Sequence, residues 1–506
     1  MTTPSQKDNT PDLTKGVTLD DFGTSRILRG FVGKKQVLLV RLGDEVVAIG
    51  NQCTHYGGRL DRGAIEGETV RCPLHHALFS LRTGEAVGAP AFDPVAVWQV
   101  ERQGNRYVVR EEIQPQPQPA QATTADLPQC IVIVGGGAAG FAAAEMLRRR
   151  GYAGSLAIFS ADSSVPIDRP NLSKDYLAGS AEEAWMPLRP ESWYREAKID
   201  LHLATPVTRI DTARREVVTE GGTRHAYDRL LIATGAEPVH LPIPGADLPH
   251  VFTLRAIADA RAIITRAESA KTAVVLGSGF IGLETAAALT KRGLKVHVVS
   301  LDARPLERIL GAALGDAIQA RHQVAGTVFH MGNSIAAIAG GKVALKDGTD
   351  LPADLVILGV GVRPRLALAE AAGLVLDHGV VVNDRLQTSA PGVYAAGDIA
   401  RWPWKGVDVR IEHWVVATRQ GQVAAENMLG ADKPYADVPF FWSAHHDLRL
   451  QYVGHAEAWD DVTIDGDIAG RDAMVSYVKG GRTLAVATIG RPQAALAQAR
   501  AMKGPG

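Results

Sequence analysis

Ile131-Val-Ile-Val-Gly135-Gly-Gly-Ala-Ala-Gly140 decides the fold of this chain. A short β-branched run stops at a glycine cluster. A helical pattern, Phe141 to Arg150, follows at once and closes at Gly151. Strand, G-x-G-x-x-G and helix in that order read as a dinucleotide-binding turn. Gly135 permits the tight bend, Gly137 lets the backbone approach a pyrophosphate, and Gly140 lets the helix lie close to the strand. The helix N-terminus turns its free N–H groups toward the phosphates. One such motif is weak, but a second follows: Gly277-Ser-Gly279-Phe-Ile-Gly282, between the strand-like Thr272–Leu276 and a helix that stops at Gly293. Both copies keep all three glycines, so two nucleotide sites are expected.

Length and composition set the outer bounds. A chain of 506 residues predicts three or four domains. With 22% charged residues and a net charge of −1, nothing suggests a nucleic-acid or anionic-membrane partner. The polar stretch Met1–Gly16 lacks the apolar core of a signal peptide. Residues 131–147 are apolar, but their glycines, Glu145 and the arginines that follow argue for a buried strand and helix, with no membrane span. Cys53, Cys72 and Cys130 are too few for a disulfide scaffold and fit a reducing cytoplasm.

From Val17 to Glu112 the chain reads as short β-segments separated by Gly- and Asp-containing turns. Two loops carry chemistry: Cys53-Thr-His55-Tyr-Gly-Gly58 and Cys72-Pro-Leu-His75. Two thiolates and two imidazoles on paired loops can hold zinc or a Rieske [2Fe–2S] cluster. In the cluster the cysteines hold one iron and the histidines the other, so each loop must give one of each. The order Cys-His, Cys-His does so; zinc fingers more often present both cysteines first. Val70-Arg-Cys-Pro-Leu-His and Phe79-Ser-Leu-Arg-Thr-Gly-Glu resemble the Rieske ferredoxin family. That resemblance implies an all-β cluster domain over residues 16–112, with Cys53, His55, Cys72 and His75 as ligands. The domain has no spare cysteine pair, so it resembles the soluble ferredoxin type, at the lower end of the Rieske range of about −150 to +300 mV. His76 stands where the family usually has Gly, and a solvent-facing side chain is expected there.

Residues 113–127, rich in Pro and Gln, read as a linker that, extended, spans roughly 35–45 Å. Beyond it, Asp162 is the nearest acid to the end of the strand Leu156–Phe159 and is the candidate for the ribose hydroxyls. The segments Arg169-Pro-Asn-Leu-Ser-Lys174, Ala233-Thr234-Gly235, Gly392-Val-Tyr-Ala-Ala-Gly397-Asp398 and Glu412-His-Trp414 resemble the FAD-dependent ferredoxin reductases and the apoptosis-inducing-factor family. The resemblance implies an FAD domain in two parts, residues 128–250 and 372–436, around a nicotinamide domain at 251–371, with a C-terminal α/β domain at 437–506. It implies FAD or nucleotide contacts at Arg169, Lys174, Val207, Thr234, Gly235, Gly361, Gly397, Asp398 and Trp414. It also implies a Lys174–Glu284 pair beside the flavin as the catalytic element. The thiol-dependent branches of the superfamily carry a reactive cysteine just after the first helix; that region holds none here, and Cys130 reads as an inert thiol. Ser300 closes the strand Lys295–Val299, with Asp302 and Arg304 after it, so NADH and NADPH both remain open, with a lean to NADH. His445-His446-Asp447 suggests a metal triad, but adjacent residues on one loop seldom converge, and a non-metal role is expected.

The expected protein is thus an all-β Rieske domain followed by two Rossmann-like domains and a C-terminal α/β domain. It carries electrons from NAD(P)H through FAD and its own cluster to an external acceptor, as a possible homodimer. Two alternatives stand beside this: an NADH oxidase using oxygen, and a redox-state-dependent binding or signalling protein.

Overall fold

The structure, a computed structural model, describes residues 10–114 and 127–503. Most of the Pro/Gln segment lies outside the described residues. The chain divides into two compact units, one formed by the N-terminal residues together with residues 492–503, the other by residues up to 491.

The first unit is β-rich, as the turn-punctuated sequence requires. Its main sheet runs Val17–Thr18, Arg106–Ile113, Val97–Gln103, Glu45–Gly50, Lys35–Leu42, Ile27–Val32, every neighbour antiparallel. A second antiparallel sheet, Ala64–Glu66, Thr69–Arg71 and Leu78–Ser80, carries the Cys72 loop between its last two strands. Leu38, Val40, Ile49, Leu60, Val70 and Phe79 form a buried core that extends to the two thiols. The helix Pro492–Lys503 packs on the strand Ala64–Glu66 and buries Ala495, Leu496, Ala499 and Met502. This final helix, which lies within the expected C-terminal stretch 437–506, is grouped by its contacts with the first unit.

The second unit holds two parallel sheets. One is ordered Asp200–His202, Ser155–Phe159, Cys130–Val134, Arg229–Ile232, Val393–Ala395. The other is Val251–Phe252, Leu355–Leu358, Thr272–Leu276, Lys295–Ser300, Val328–Met331. Their central strands are buried and apolar on both faces; in the second sheet one face packs on helices and the other on the three-stranded antiparallel sheet Ile335–Ala339, Gly341–Leu345, Asp350–Ala353. Each leads through a glycine turn into a helix, Ala138–Arg149 or Phe280–Lys291. The strand Val393–Ala395 comes from well beyond the second sheet, so the chain leaves the first sheet and returns to it. An antiparallel five-stranded sheet, Phe440–His445, Leu448–Gly454, Arg482–Ile489, Asp472–Lys479, Asp461–Asp467, follows. Among the described residues no helix is long and apolar enough to cross a membrane.

Candidate redox site

The two glycine turns have the same build. Gly135 and Gly277 take φ of +113° and +111°, which an L side chain rarely adopts. A Cβ on Gly140 would lie 1.9 Å from the Gly135 carbonyl oxygen, and one on Gly282 2.3 Å from that of Gly277. Gly137 and Gly279 have open space or only a distant arginine before them, as an approaching phosphate needs. A cavity of about 1,200 Å³ in the second unit takes in parts of both turns. Gly135, Gly137, Asp162, Arg169, Lys174, Val207, Thr234 and Gly235 line it. So do Gly279, Gly282, Glu284, Gly361, Gly397, Asp398 and Trp414. Gly140, Gly277, Ser300 and Arg304 do not.

Two charge pairs lie in the cavity. Arg169 Nη2 donates to Asp162 Oδ2 at 2.8 Å, and Arg255 Nη2 to Asp398 Oδ2 at 2.9 Å. Arg255 carries no motif, and sequence reasoning missed it. Gly397 N–H donates to Gln420 Oε1 at 2.8 Å, tying the Asp398 loop to the helix Trp414–Met428. That helix crosses Ala138–Arg149 so closely that a Cβ on Gly421 would meet the Ala139 carbonyl oxygen at 2.2 Å. An isoalloxazine-bearing dinucleotide fits this long cradle of glycine backbone and paired charges, and a nicotinamide dinucleotide fits the second turn.

Lys174 and Glu284 meet. Lys174 Nζ donates to Glu284 Oε2 at 2.7 Å and to the Pro170 carbonyl at 3.1 Å. Ser173 Oγ donates to Oε2 at 2.6 Å, and Ser443 Oγ to Oε1 at 2.7 Å. Burial alone would raise the Glu284 pKa. The Lys174 charge and the hydrogen bonds from Lys174, Ser173 and Ser443 outweigh it and hold the carboxyl below its usual range. The part played by Ser443 was not legible, because it arrives from a strand far along the chain.

At the second strand's end, Ser300 is buried and accepts a 2.8 Å hydrogen bond from Ser278 Oγ inside the glycine turn. Arg304 is held by Asp316 at 2.8 Å and Glu307 at 3.1 Å, and Asp302 by Arg308 at 3.0 Å.

In the first unit the four candidate ligands come together as two pairs. Cys53 and Cys72 are buried side by side, close enough for a thiol–thiol hydrogen bond. His55 and His75 are half-buried, with their Nδ1 atoms 3.1 Å apart. Burial pushes the His55 pKa down to about 4, so its ring is the neutral nitrogen donor that a metal ligand must be. Two separate pairs suit two irons better than one zinc, and they order thiols inside and imidazoles outside. Matching turns set the loops: Cys53 N–H donates to the Gly58 carbonyl and Cys72 N–H to the Ala77 carbonyl, each at 2.8 Å. A Cβ on Gly58 would lie 2.7 Å from Cys72 Sγ. His76 corrects the expectation of a solvent-facing side chain: it is buried, and its backbone sits at φ +62°. The left-handed turn explains why glycine is usual there.

His445, His446 and Asp447 diverge. His445 is buried and faces Ser443 and His322, His446 is half-exposed, and Asp447 pairs outward with Arg321 and Arg471. Cys130 Sγ donates to the Ala226 carbonyl at 3.2 Å, and burial raises its pKa.

Two dinucleotide cradles beside a buried Lys–Glu pair, with a two-pair cysteine–histidine centre, define an FAD- and nicotinamide-linked oxidoreductase carrying a Rieske [2Fe–2S] domain. The chain belongs to the pyridine nucleotide-disulphide oxidoreductase family, whose model matches residues 129–421. A Rieske [2Fe-2S] domain model matches residues 18–99 and a reductase C-terminal model residues 440–504. The chain is 34% identical over 480 residues to apoptosis-inducing factor 3 of Homo sapiens, covering 90% of this chain and 78% of that protein. It is 35% identical to the rubredoxin-NAD(+) reductase of Ectopseudomonas oleovorans, over 74% of this chain and 99% of the other. Among solved structures, the covalent putidaredoxin reductase–putidaredoxin complex aligns with a TM-score of 0.72 at 34% identity, covering 75% of this chain and 94% of that one.

Proposed function

We propose that this enzyme takes electrons from NADH and passes them through FAD to its own Rieske cluster, and from there to an external protein acceptor. The observation that carries this is one cavity taking in both glycine turns and the Lys174–Glu284 pair, in a chain that also supplies a cluster ligand set. Bound FAD supplies the conversion between a two-electron donor and one-electron acceptors. The chain's own residues hold and orient. Gly137 and Gly279 leave room for phosphates. The Asp162–Arg169 and Asp398–Arg255 pairs fix polar groups along the cradle. Lys174, held by Glu284, keeps a cation in the cavity that favours negative charge developing on the ring. Cys53 with Cys72, and His55 with His75, would hold one iron each.

NADH is favoured over NADPH because Arg304 is already held by two carboxylates, leaving it little freedom to take a 2′-phosphate. Similarity to a rubredoxin-NAD(+) reductase and to a reductase crystallised with putidaredoxin supports a protein acceptor. Three cysteines, two of them cluster ligands on this reading, fit a reducing compartment such as the cytoplasm.

Anaerobic EPR after addition of NADH alone, with an NADPH sample in parallel, tests the path. A reduced Rieske signal that appears with NADH is the expected result. A signal with dithionite but with neither nucleotide would refute transfer within the chain.

A further inference from the structure

A row of buried hydrogen bonds leads away from the flavin cavity, and nothing in the function above uses it. Ser443 and His445 lie two apart on the strand Phe440–His445 and so face the same way. Ser443 Oγ donates to Glu284 Oε1 at 2.7 Å. His445 Nε2 stands 3.2 Å from Ser443 Oγ, and His445 Nδ1 stands 3.3 Å from Nε2 of His322 on the helix Glu307–Val324. Glu284, Ser443, His445 and His322 are 3%, 1%, 0% and 0% exposed, so water reaches none of them freely. The hydrogen-bonded row ends at His322: its ring meets that of the half-exposed His446 edge-on, centroids 4.8 Å apart, with no hydrogen bond between them.

The donor pattern is fixed by Glu284. An ionised carboxylate only accepts, so Ser443 must turn its hydrogen toward Glu284. Its oxygen then accepts from His445 Nε2–H, and His445 Nδ1 accepts from His322 Nε2–H. Every group in the row is able both to take and to give a hydrogen. The charges around it are Lys174 at the inner end, with Arg321, Lys291 and Asp447 near His446.

We propose that Ser443, His445 and His322 form a proton relay that leads from Glu284, at the flavin cavity, toward the half-exposed His446. The proposal rests on the reading above, in which one-electron acceptors take the electrons. Breaking the nicotinamide C–H bond and removing two electrons turns NADH into NAD+, one proton and two electrons. The electrons reduce two equivalents of a one-electron acceptor, and the proton must leave the cavity separately. Lys174 gives one of its hydrogens to Glu284 and is reprotonated from the cavity. Lys174 delivers to Oε2, so the neutral Glu284 carboxyl must rotate to set its hydrogen on the oxygen facing Ser443 before it donates there. Outward passage follows once the Ser443 hydroxyl turns to His445 and the two imidazoles exchange tautomers.

Two measurements test the relay. In ¹⁵N imidazole NMR of the oxidised holoprotein, His445 and His322 should both carry their hydrogen on Nε2. In the second, NADH-reduced protein is mixed with ferricyanide in weak buffer, and a pH-indicator dye is followed against flavin absorbance. Proton release should keep pace with flavin oxidation in the unaltered protein and lag it tenfold or more in His445→Gln and His322→Gln. Release in step with flavin oxidation in both variants, or a hydrogen on His445 Nδ1, overturns the relay. Ferricyanide accepts electrons without needing the cluster, so failure of the path to the cluster would leave this result readable.

Discussion

Removing the ammonium of Lys174 strands a buried carboxylate. In Lys174→Ala, Glu284 keeps only two hydroxyl donors, and breaking a buried pair in this way costs about 3–5 kcal/mol. The variant should melt earlier, and stopped-flow reduction of its flavin by NADH should slow by on the order of a hundredfold, the scale of losing one preorganised charge-stabilising donor. An unchanged reduction rate would remove Lys174 from the catalytic role. At this scale the sequence was legible where a motif repeats. The glycines of both turns have the conformations their spacing implies, and Lys174 meets Glu284 as the family resemblance implied. It was not legible where a partner arrives from far along the chain, as Arg255 does for Asp398 and Ser443 for Glu284. His76 shows a different limit: a residue name does not reveal the sign of φ, and the turn, not the side chain, decides its burial.

Two buried imidazoles, one on the helix Glu307–Val324 and one on the strand Phe440–His445, tie these elements together and give them a pH dependence. Burial, the main cause, drives the His322 pKa down to about 2 and that of His445 to about 4. Each takes a proton near pH 6.5 once unfolded but stays neutral while folded. Unfolding therefore binds protons below that pH, and stability is full above about 6.5 and falls as pH drops toward the folded values. The slope approaches about 1.4 kcal/mol per pH unit for each residue. Urea melts of the second unit at pH 7 and pH 5 should show this loss, and it should shrink in His445→Gln. The strands and helices themselves were plain in the sequence: Lys35–Leu42 and Thr272–Leu276 fall where β-branched runs between turns put them. Their sheet partners were not, since pairing of Val393–Ala395 with Arg229–Ile232 depends on a return over many residues.

The final helix belongs, by its packing, with the opening residues of the chain. Leu496→Ala should cost about 2–4 kcal/mol, a buried-leucine cavity. Differential scanning calorimetry should place that cost in the transition of the first unit. A shift confined to the second unit would show that the helix draws its stability from the sheet before it. A short apolar face, here Ala495, Leu496, Ala499 and Met502, says in the sequence that a helix is covered but not by what; its contact with the strand Ala64–Glu66 was therefore not legible.

The sparse cysteine complement gives this protein a stoichiometric gauge of its own maturation. Only Cys53, Cys72 and Cys130 carry sulphydryls, and the first two face each other where the irons would be held. Alkylation before unfolding should therefore leave Cys53 and Cys72 unmarked on every molecule that carries its cluster. Both should be marked on molecules that have lost it and whose loops have relaxed. An intact-mass spectrum would then sort a preparation into loaded and empty chains, molecule by molecule, with no reference to colour or turnover.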